Sequence, residues 1–349
     1  MPGPSTSKTS SAIGSTIAPA EDPISETPFP YKPGCVLELT QPDAECIEVS
    51  VVKVMSTTTS PVMEVQLTVG SEVRKAVLKL YDRRFGSMRG SRAVGASRMY
   101  RPYTLQSEKA FQDYIVSGKF DKLRTQLKRE DELNRPANED RDNDTEEDEL
   151  DEPDSMWERM GRFESTVFHR IRKTFLDELQ AYNQLIDLQG ECIPKLISEI
   201  TLDYPSKTTE GSPLFRQASG ILIQHIDGFP LSELVGQIPN NPPVWERILQ
   251  QAMRAGDLMN GAGVIHEDYH LKNILVARGE GDYFKVYAID FGKCLFQRDC
   301  KTTSDPEDRR GFAYRARLAA NGPEIGAKMK RMVHRLTGIT INSPGEPSS

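Results

Sequence analysis

Residues 262–293 read AGVIHEDYHLKNILVARGEGDYFKVYAIDFGK. His266, Asp268 and Asn273 share one short polar run, set between the apolar strings Val264-Ile265 and Ile274-Leu275-Val276. Short apolar strings bounded by glycine read as strands. The second string has a natural antiparallel mate in KVYAID, residues 285–290, across the Gly279–Tyr283 turn. Such a hairpin returns Asp290, with Phe291 and Gly292 behind it, to the side of Asn273.

Two carboxylates and an amide on neighbouring loops suit one kind of chemistry. Phosphoryl transfer from ATP needs a group to orient the attacking hydroxyl, oxygen ligands for Mg²⁺ and positive charge on the phosphates. Mg²⁺ is a hard ion that takes carboxylate and amide oxygens, one or two from the protein. Asp268 has the chemistry to orient a hydroxyl, and Asn273 and Asp290 to hold the metal.

The positive charge lies far upstream. Apolar alternation begins near Cys35, runs through Ile47, Val49 and Val51, and resumes at Met63, Val65, Leu67 and Val69 before the turn at Gly70 and the run RKAVLKLYD. This pattern predicts three antiparallel strands. In the last, Lys79 shares a face with Val77 and Tyr81, and Ala76, Leu78 and Leu80 take the other. A lysine there either snorkels to the sheet rim or faces a ligand. Farther on, Phe168, Ile171, Phe175, Leu179, Tyr182 and Ile186 draw one helical stripe, with Glu178 at its edge. IPKLISEITL and GILIQHIDGFPL predict two more strands. Trp245, Ile248, Leu249, Ala252, Leu258 and Met259 predict a helix closed by Gly261, and residues 313–336 a basic amphipathic helical region.

Taken in order, strand Lys79, helix Glu178, His266-x-Asp268, Asn273 and Asp290-Phe291-Gly292 resemble the signature of the protein-kinase-like superfamily. The resemblance covers roughly residues 35–82 and 166–300. It implies an α+β, bilobal fold: a small antiparallel-sheet lobe, a truncated helical C-lobe and ATP between them. Lys79 would contact the α and β phosphates and pair with Glu178, Asp268 would serve the acceptor hydroxyl, Asn273 and Asp290 would hold Mg²⁺, and His266 would brace the loop. Ile223 falls at the gatekeeper position. Backbone groups of Gln224, His225 and Ile226 would bind adenine, roofed by Val77 where the family usually has alanine.

Four departures shape the expectation further. No glycine-rich phosphate loop stands at MSTTTSPV, residues 55–62, so Ser56 to Ser60 either offer hydroxyls and N–H groups or form a plain polar turn. Glu267 replaces the arginine that grips a phosphorylated activation loop in regulated protein kinases. His270 stands where protein Ser/Thr kinases carry lysine, and H-x-D-x-H-x-x-N is similar to the loop of aminoglycoside and choline phosphotransferases. Lys272 either supplies the missing cation at the γ-phosphate or is an exposed loop residue. Finally, 98 residues separate Lys79 from Glu178, far more than in an ordinary kinase, and the phrases LKLYDRRF and IDFGKCLF resemble kinase-like proteins of fungi. The expected activity is therefore ATP- and Mg²⁺-dependent transfer to a hydroxyl, on a protein or a small molecule. The alternative is a pseudokinase that senses nucleotide or scaffolds.

Composition sets the remaining bounds. The net charge of −7 is the work of one block: residues 130–154 hold fourteen Asp or Glu against Arg135 and Arg141, and the remainder is basic. Such a block has little to bury and is expected to be disordered. The basic C-terminal helix either presents a plain solvated face or takes this block folded back on it as a salt-sensitive cover. No aromatic-interleaved basic groove argues for nucleic acid. Five cysteines without a C-x-x-C pair argue against a disulfide framework. No leader or membrane-spanning run is apparent, so a cytoplasmic or nuclear location is expected. The expected division is a disordered tail 1–34, an N-lobe 35–226 with an insertion at 83–165 that is acidic and disordered over about 129–155, a C-lobe 227–341 and a tail 342–349.

Overall fold

The computed structural model describes residues 29–43, 45–92, 98–136, 155–203, 213–279, 281 and 283–343. Four strands open the chain where alternation predicted three: β1 (Val36–Thr40), β2 (Cys46–Ser56), β3 (Val62–Val69) and β4 (Glu72–Tyr81). The extra break lies at Gln41–Glu45, where Gln41 N–H donates to Glu45 O at 2.8 Å and Glu45 N–H to Asp43 Oδ1 at 3.2 Å. Both flanking strands keep a two-residue period, so a tight turn between them leaves the pattern nearly undisturbed.

With β7 (Leu196–Asp203) and β8 (Gln217–Gln224) these strands form a closed antiparallel sheet in the order β1-β2-β3-β4-β8-β7. Closure between β1 and β7 rests on one pairing, Thr40 opposite Thr201. Ala76, Leu78 and Leu80 of β4 face the barrel interior with Leu39, Val49, Met63, Val65 and Leu222. Tyr81, on the opposite face, joins a second apolar core.

Between β4 and β7 lie a two-stranded hairpin, β5 (Gly90–Arg92) with β6 (Arg98–Tyr100), and three helices, α1 (Leu105–Val116), α2 (Lys119–Leu133) and α3 (Met156–Gln184). Thr104 and Ser107 cap α1 reciprocally, and Ser155 caps α3 by accepting from Glu158 N–H. Helix α3 therefore starts ten residues inside the expected insertion 83–165. Its early buried face is Gly161, Glu164 and Ser165, which carry no apolar periodicity. At its other end Ile186 lies beyond the helix and is exposed. Residues 129–133 of the expected acidic disordered part belong to α2. Residues 134–136 and 155 of that part are also described, and 137–154, with tail residues 1–28 and 344–349, lie outside the described residues. The fold-back alternative for the C-terminal helix falls mostly on those residues; among the described acids of the block, Asp131 meets His169 of α3 at 3.0 Å.

The second core gathers β9 (Gly228–Pro230), α4 (Leu234–Gln237), α5 (Pro242–Gly261), β10 (Val264–His266), β11 (Ile274–Arg278), β12 (Phe284–Ala288), β13 (Cys294–Phe296) and α7 (Asn321–Thr337), whereas α6 (Phe312–Ala319) buries no residue. The basic helical region predicted over 313–336 is thus two helices, broken at Ala320 with φ +43°. The break seats α7 on α5, where a Cβ on Gly256 would come within 2.8 Å of Gly322 N. No helix among the described residues is long and apolar enough to cross a membrane.

Candidate active site

Lys79 lies mid-strand on β4, paired with Val62 of β3 and Ile221 of β8. Its side chain is 8% exposed and does not reach the rim. The ammonium instead donates to Glu178 Oε2 and Asp290 Oδ1, each at 2.5 Å. Tyr81, two residues along the same face, also donates its O–H to Glu178 Oε2. Glu178 is thus at the centre of the buried face of α3, not at its edge as the stripe predicted.

Burial would drive protons off Lys79, but the Glu178 and Asp290 carboxylates outweigh it and hold the amine charged, with its pKa raised. Burial and the neighbouring Glu178 charge push the Tyr81 phenol well above its ordinary range, so it remains a donor. Burial would raise Asp290 too; the Lys79 ammonium and its hydrogen bond prevail, with help from Lys293, and the carboxyl titrates below its usual range.

A hydrogen-bonded frame carries Asp268 to Asp290. His266 Nδ1 accepts from Asp268 N–H at 3.1 Å, so in the neutral ring Nε2 bears the proton and donates to Ile289 O at 3.0 Å. Burial lowers the His266 pKa, in keeping with a neutral ring. Ile289 N–H donates to Asn273 O at 2.9 Å, so the 274–288 hairpin does bring Asp290 back beside Asn273. Asp290 itself takes φ +68°, which turns its side chain out of the strand direction. Phe291 is fully buried, its ring 5.3 Å from Tyr182 and 5.2 Å from His266.

Asn273 Nδ2 donates to Asp268 O at 3.0 Å, which leaves Oδ1 as an acceptor. The Asp268 side chain is half-exposed, with His270 Nε2 3.6 Å from Oδ1 and Lys293 Nζ 3.2 Å from Oδ2. Lys272 is exposed, and only its backbone N–H enters this frame, donating to His270 Nδ1 at 3.2 Å.

The donor set fits a hard divalent cation. One ammonium stands against the two carboxylates of Glu178 and Asp290, and the Asp290 side chain keeps 44% of its surface exposed. Asn273 Oδ1 adds a neutral oxygen. Among the described residues no cluster of three or more His, Cys, Asp or Glu is arranged to cage a metal.

On the nucleotide side, Val77 lies directly across the ladder from Ile223. Gln224 N–H is engaged with Lys195 O at 2.8 Å, and Gln224 Oε1 accepts from Lys195 N–H. The His225 ring stands 3.8 Å from Glu64, and Ile226 is half-buried. The 56–60 loop is pinned rather than free. Ser87 N–H donates to Thr58 O at 2.5 Å, and a Cβ on Gly86 would sit 2.5 Å from Thr59 O. The Ser60 hydroxyl is buried without a hydrogen-bond partner.

Sequence reasoning gave no role to Tyr81, Gly86 or Lys293. Only Lys293 carried a local signal, as the first residue after Asp-Phe-Gly. A groove of about 1160 Å³, lined by His169, Arg172, Lys173, Leu318 and Lys328 among others, touches His266 but none of the other residues of this cluster.

The profile described as the lipopolysaccharide kinase (Kdo/WaaP) family matches residues 207–308, the stretch that carries Asp268, Asn273 and Asp290. No curated protein matches the chain. Among solved structures, WaaP in complex with acyl carrier protein is similar at 16% identity and TM-score 0.29, over 48% of this chain and 72% of that one. A double mutant of the Mycobacterium tuberculosis PknI kinase domain is similar at 13% identity and TM-score 0.34, over 83% of this chain and 76% of that one. Superpositions this loose carry no argument. The matched segment supports the protein-kinase-like resemblance and a kinase activity for the chain.

Proposed function

We propose that the chain is an ATP- and Mg²⁺-dependent phosphotransferase with a bilobal organisation. The barrel with α1–α3, residues 35–226, would form one lobe and residues 227–341 the other, with nucleotide between them. The observation that carries this reading is the meeting of Lys79, Glu178 and Asp290, from three distant segments, at 2.5 Å contacts beside a half-exposed carboxylate.

In this reading Lys79, fixed by Glu178, sets the α and β phosphates in place. Val77, Ile223 and the backbone from Gln224 to Ile226 enclose the adenine. Mg²⁺ bound through Asp290 and Asn273 Oδ1 would offset charge on the phosphate oxygens. Asp268, half-exposed, receives the acceptor hydroxyl and its proton. His266 ties the backbone of Asp268 to Ile289, so the two carboxylates keep their spacing. Most of the catalytic effect in such transfer comes from positioning and charge, and this site is built of both.

The acceptor is a hydroxyl on a protein or a small molecule. Favouring the pseudokinase alternative is the pinned 56–60 loop, which brings hydroxyls but no glycine backbone to the phosphates. Two measurements decide. Saturating MgATP, at about 100 times its Kd, stabilises a binder by about 2.7 kcal/mol in a thermal melt. ADP production should be seen with the native chain and lost in Asp268→Asn. Binding without turnover would establish the nucleotide sensor; equal turnover in both proteins would remove Asp268 from the mechanism.

A further inference from the structure

We propose that Lys293 is a catalytic residue, the cation that accompanies the phosphoryl group as it crosses to the acceptor. The inference deepens the phosphotransfer reading and rests on it. The candidate that sequence spacing offered for this task is Lys272.

Position is the first argument. Glu267 N–H donates to Lys293 O at 3.1 Å, and the next residue, Cys294, pairs with His266 across the β10–β13 ladder. The Lys293 backbone is therefore clamped beside the loop that carries Asp268. From there Nζ reaches Asp268 Oδ2 at 3.2 Å. Lys293 thus brings a cation to the carboxylate that would take the acceptor proton, three residues along the chain from the one that would face the metal, and the transferring group would pass between those two carboxylates.

Freedom to move is the second. Lys79 is buried and bonded to two carboxylates, so it can hold phosphates but not follow one. Among the described residues Lys293 makes one ion pair, and its side chain is 67% exposed on a flexible stem. Lys272 is also exposed, but makes no ion pair with the Asp268 carboxylate that Lys293 meets.

The third is an exchange of partners at Asp268. His270 Nδ1 is occupied by Lys272 N–H, so its Nε2–H is turned toward Asp268 Oδ1, and Lys293 holds Oδ2. When Lys293 turns to a γ-phosphate oxygen, Oδ2 is released to accept. The acceptor oxygen then forms a bond to Pγ while the bond from Pγ to the β,γ-bridging oxygen breaks. The hydroxyl proton passes to Oδ2, ADP leaves, and Lys293 keeps its protons throughout.

The test separates placement of nucleotide from stabilisation of the transfer. Kd is measured for MgATP, and for MgADP with aluminium fluoride as a mimic of the transferring phosphoryl group, on the full chain and its Lys293→Ala, Lys293→Arg and Lys272→Ala variants. ADP release is followed with water as acceptor. Lys293→Ala is expected to change the MgATP Kd less than threefold, to weaken the fluoride complex at least tenfold and to slow ADP release in step. Lys293→Arg should recover most of both losses. Unchanged fluoride affinity in Lys293→Ala, or a larger loss in Lys272→Ala, overturns the assignment and leaves the nucleotide site standing. A native chain that binds no MgATP overturns the phosphotransfer reading itself.

Discussion

Helix α3 carries two buried carboxylates on one face, Glu164 and Glu178, about 21 Å apart along its axis at 1.5 Å per residue. Each is essentially unexposed, yet they serve opposite ends. Glu164 is gripped by Arg89 through both oxygens and approached by Arg83 at 3.2 Å, and Arg83 also meets Glu108 of α1. Arg89, itself fully buried, spends its remaining donors on the carbonyls of Arg83, Arg101 and Pro102. That knot is sealed and ties the helices to the end of β4. Around Glu178 the partners are one ammonium and one phenol, and the network opens to solvent through Asp290. Guanidinium forks suit permanent geometry, and a single ammonium suits a contact that a ligand must share. One helix is thus anchored at one end so that its other end can be used.

The comparison can be broken most sharply at Glu164. Glu164→Ala leaves the fully buried Arg89 guanidinium without a carboxylate, while Arg83 keeps Glu108, and should lower unfolding free energy by about 3–5 kcal/mol, read from urea denaturation. Glu178→Ala should lower it less, because Lys79 keeps Asp290. Its larger effect is expected on ADP production, a fall of about 100-fold, the scale that misplacement of a reacting group produces. Equal stability losses, or unimpaired turnover in Glu178→Ala, would erase the distinction between anchor and site.

A smaller effect tests whether the two regions communicate. Gly86 lies between Arg83 and Arg89 in the chain and presses on the 56–60 loop beside the site. Its φ of +99° is one that side chains rarely adopt, and a methyl there would meet Thr59 O. Gly86→Ala should destabilise by about 1–3 kcal/mol and weaken MgATP binding by calorimetry. A loss of stability alone would make the loop a plain turn.

The smallest effect is a pH slope. Burial lowers the folded-state pKa of His266 below the ordinary value of about 6.5. Above that pH both folded and unfolded chains hold it neutral. As pH falls below it, the unfolded chain takes up a proton that the folded chain resists, and stability drops. His266→Gln should melt lower at pH 7, having lost the loop brace, and lose less on acidification to pH 5. A mutant that melts in parallel with the native chain would show the ring to be less insulated than its burial implies.

How much of this was legible in sequence depended on what each element buries. The 262–293 stretch could be read because its strands are apolar, its loops polar and its chemistry local. Lys79 could be assigned a face because β4 alternates. Glu164 could not be found, since a helix face of Gly161, Glu164 and Ser165 looks like solvent until its arginines are known. Tyr81 passed as one more apolar strand residue, although its hydroxyl meets the same oxygen as Lys79. Spacing within one loop points to Lys272 and cannot show the β10–β13 pairing that brings a later lysine, Lys293, to Asp268.

The single pairing that closes the sheet between Thr40 and Thr201 makes the barrel a cylinder with a seam. In deuterated solvent the amides along that seam would label first, whereas β4, laddered on both sides by β3 and β8, would label among the last. The wall that holds Lys79 should therefore still be intact when the cylinder has already begun to unroll.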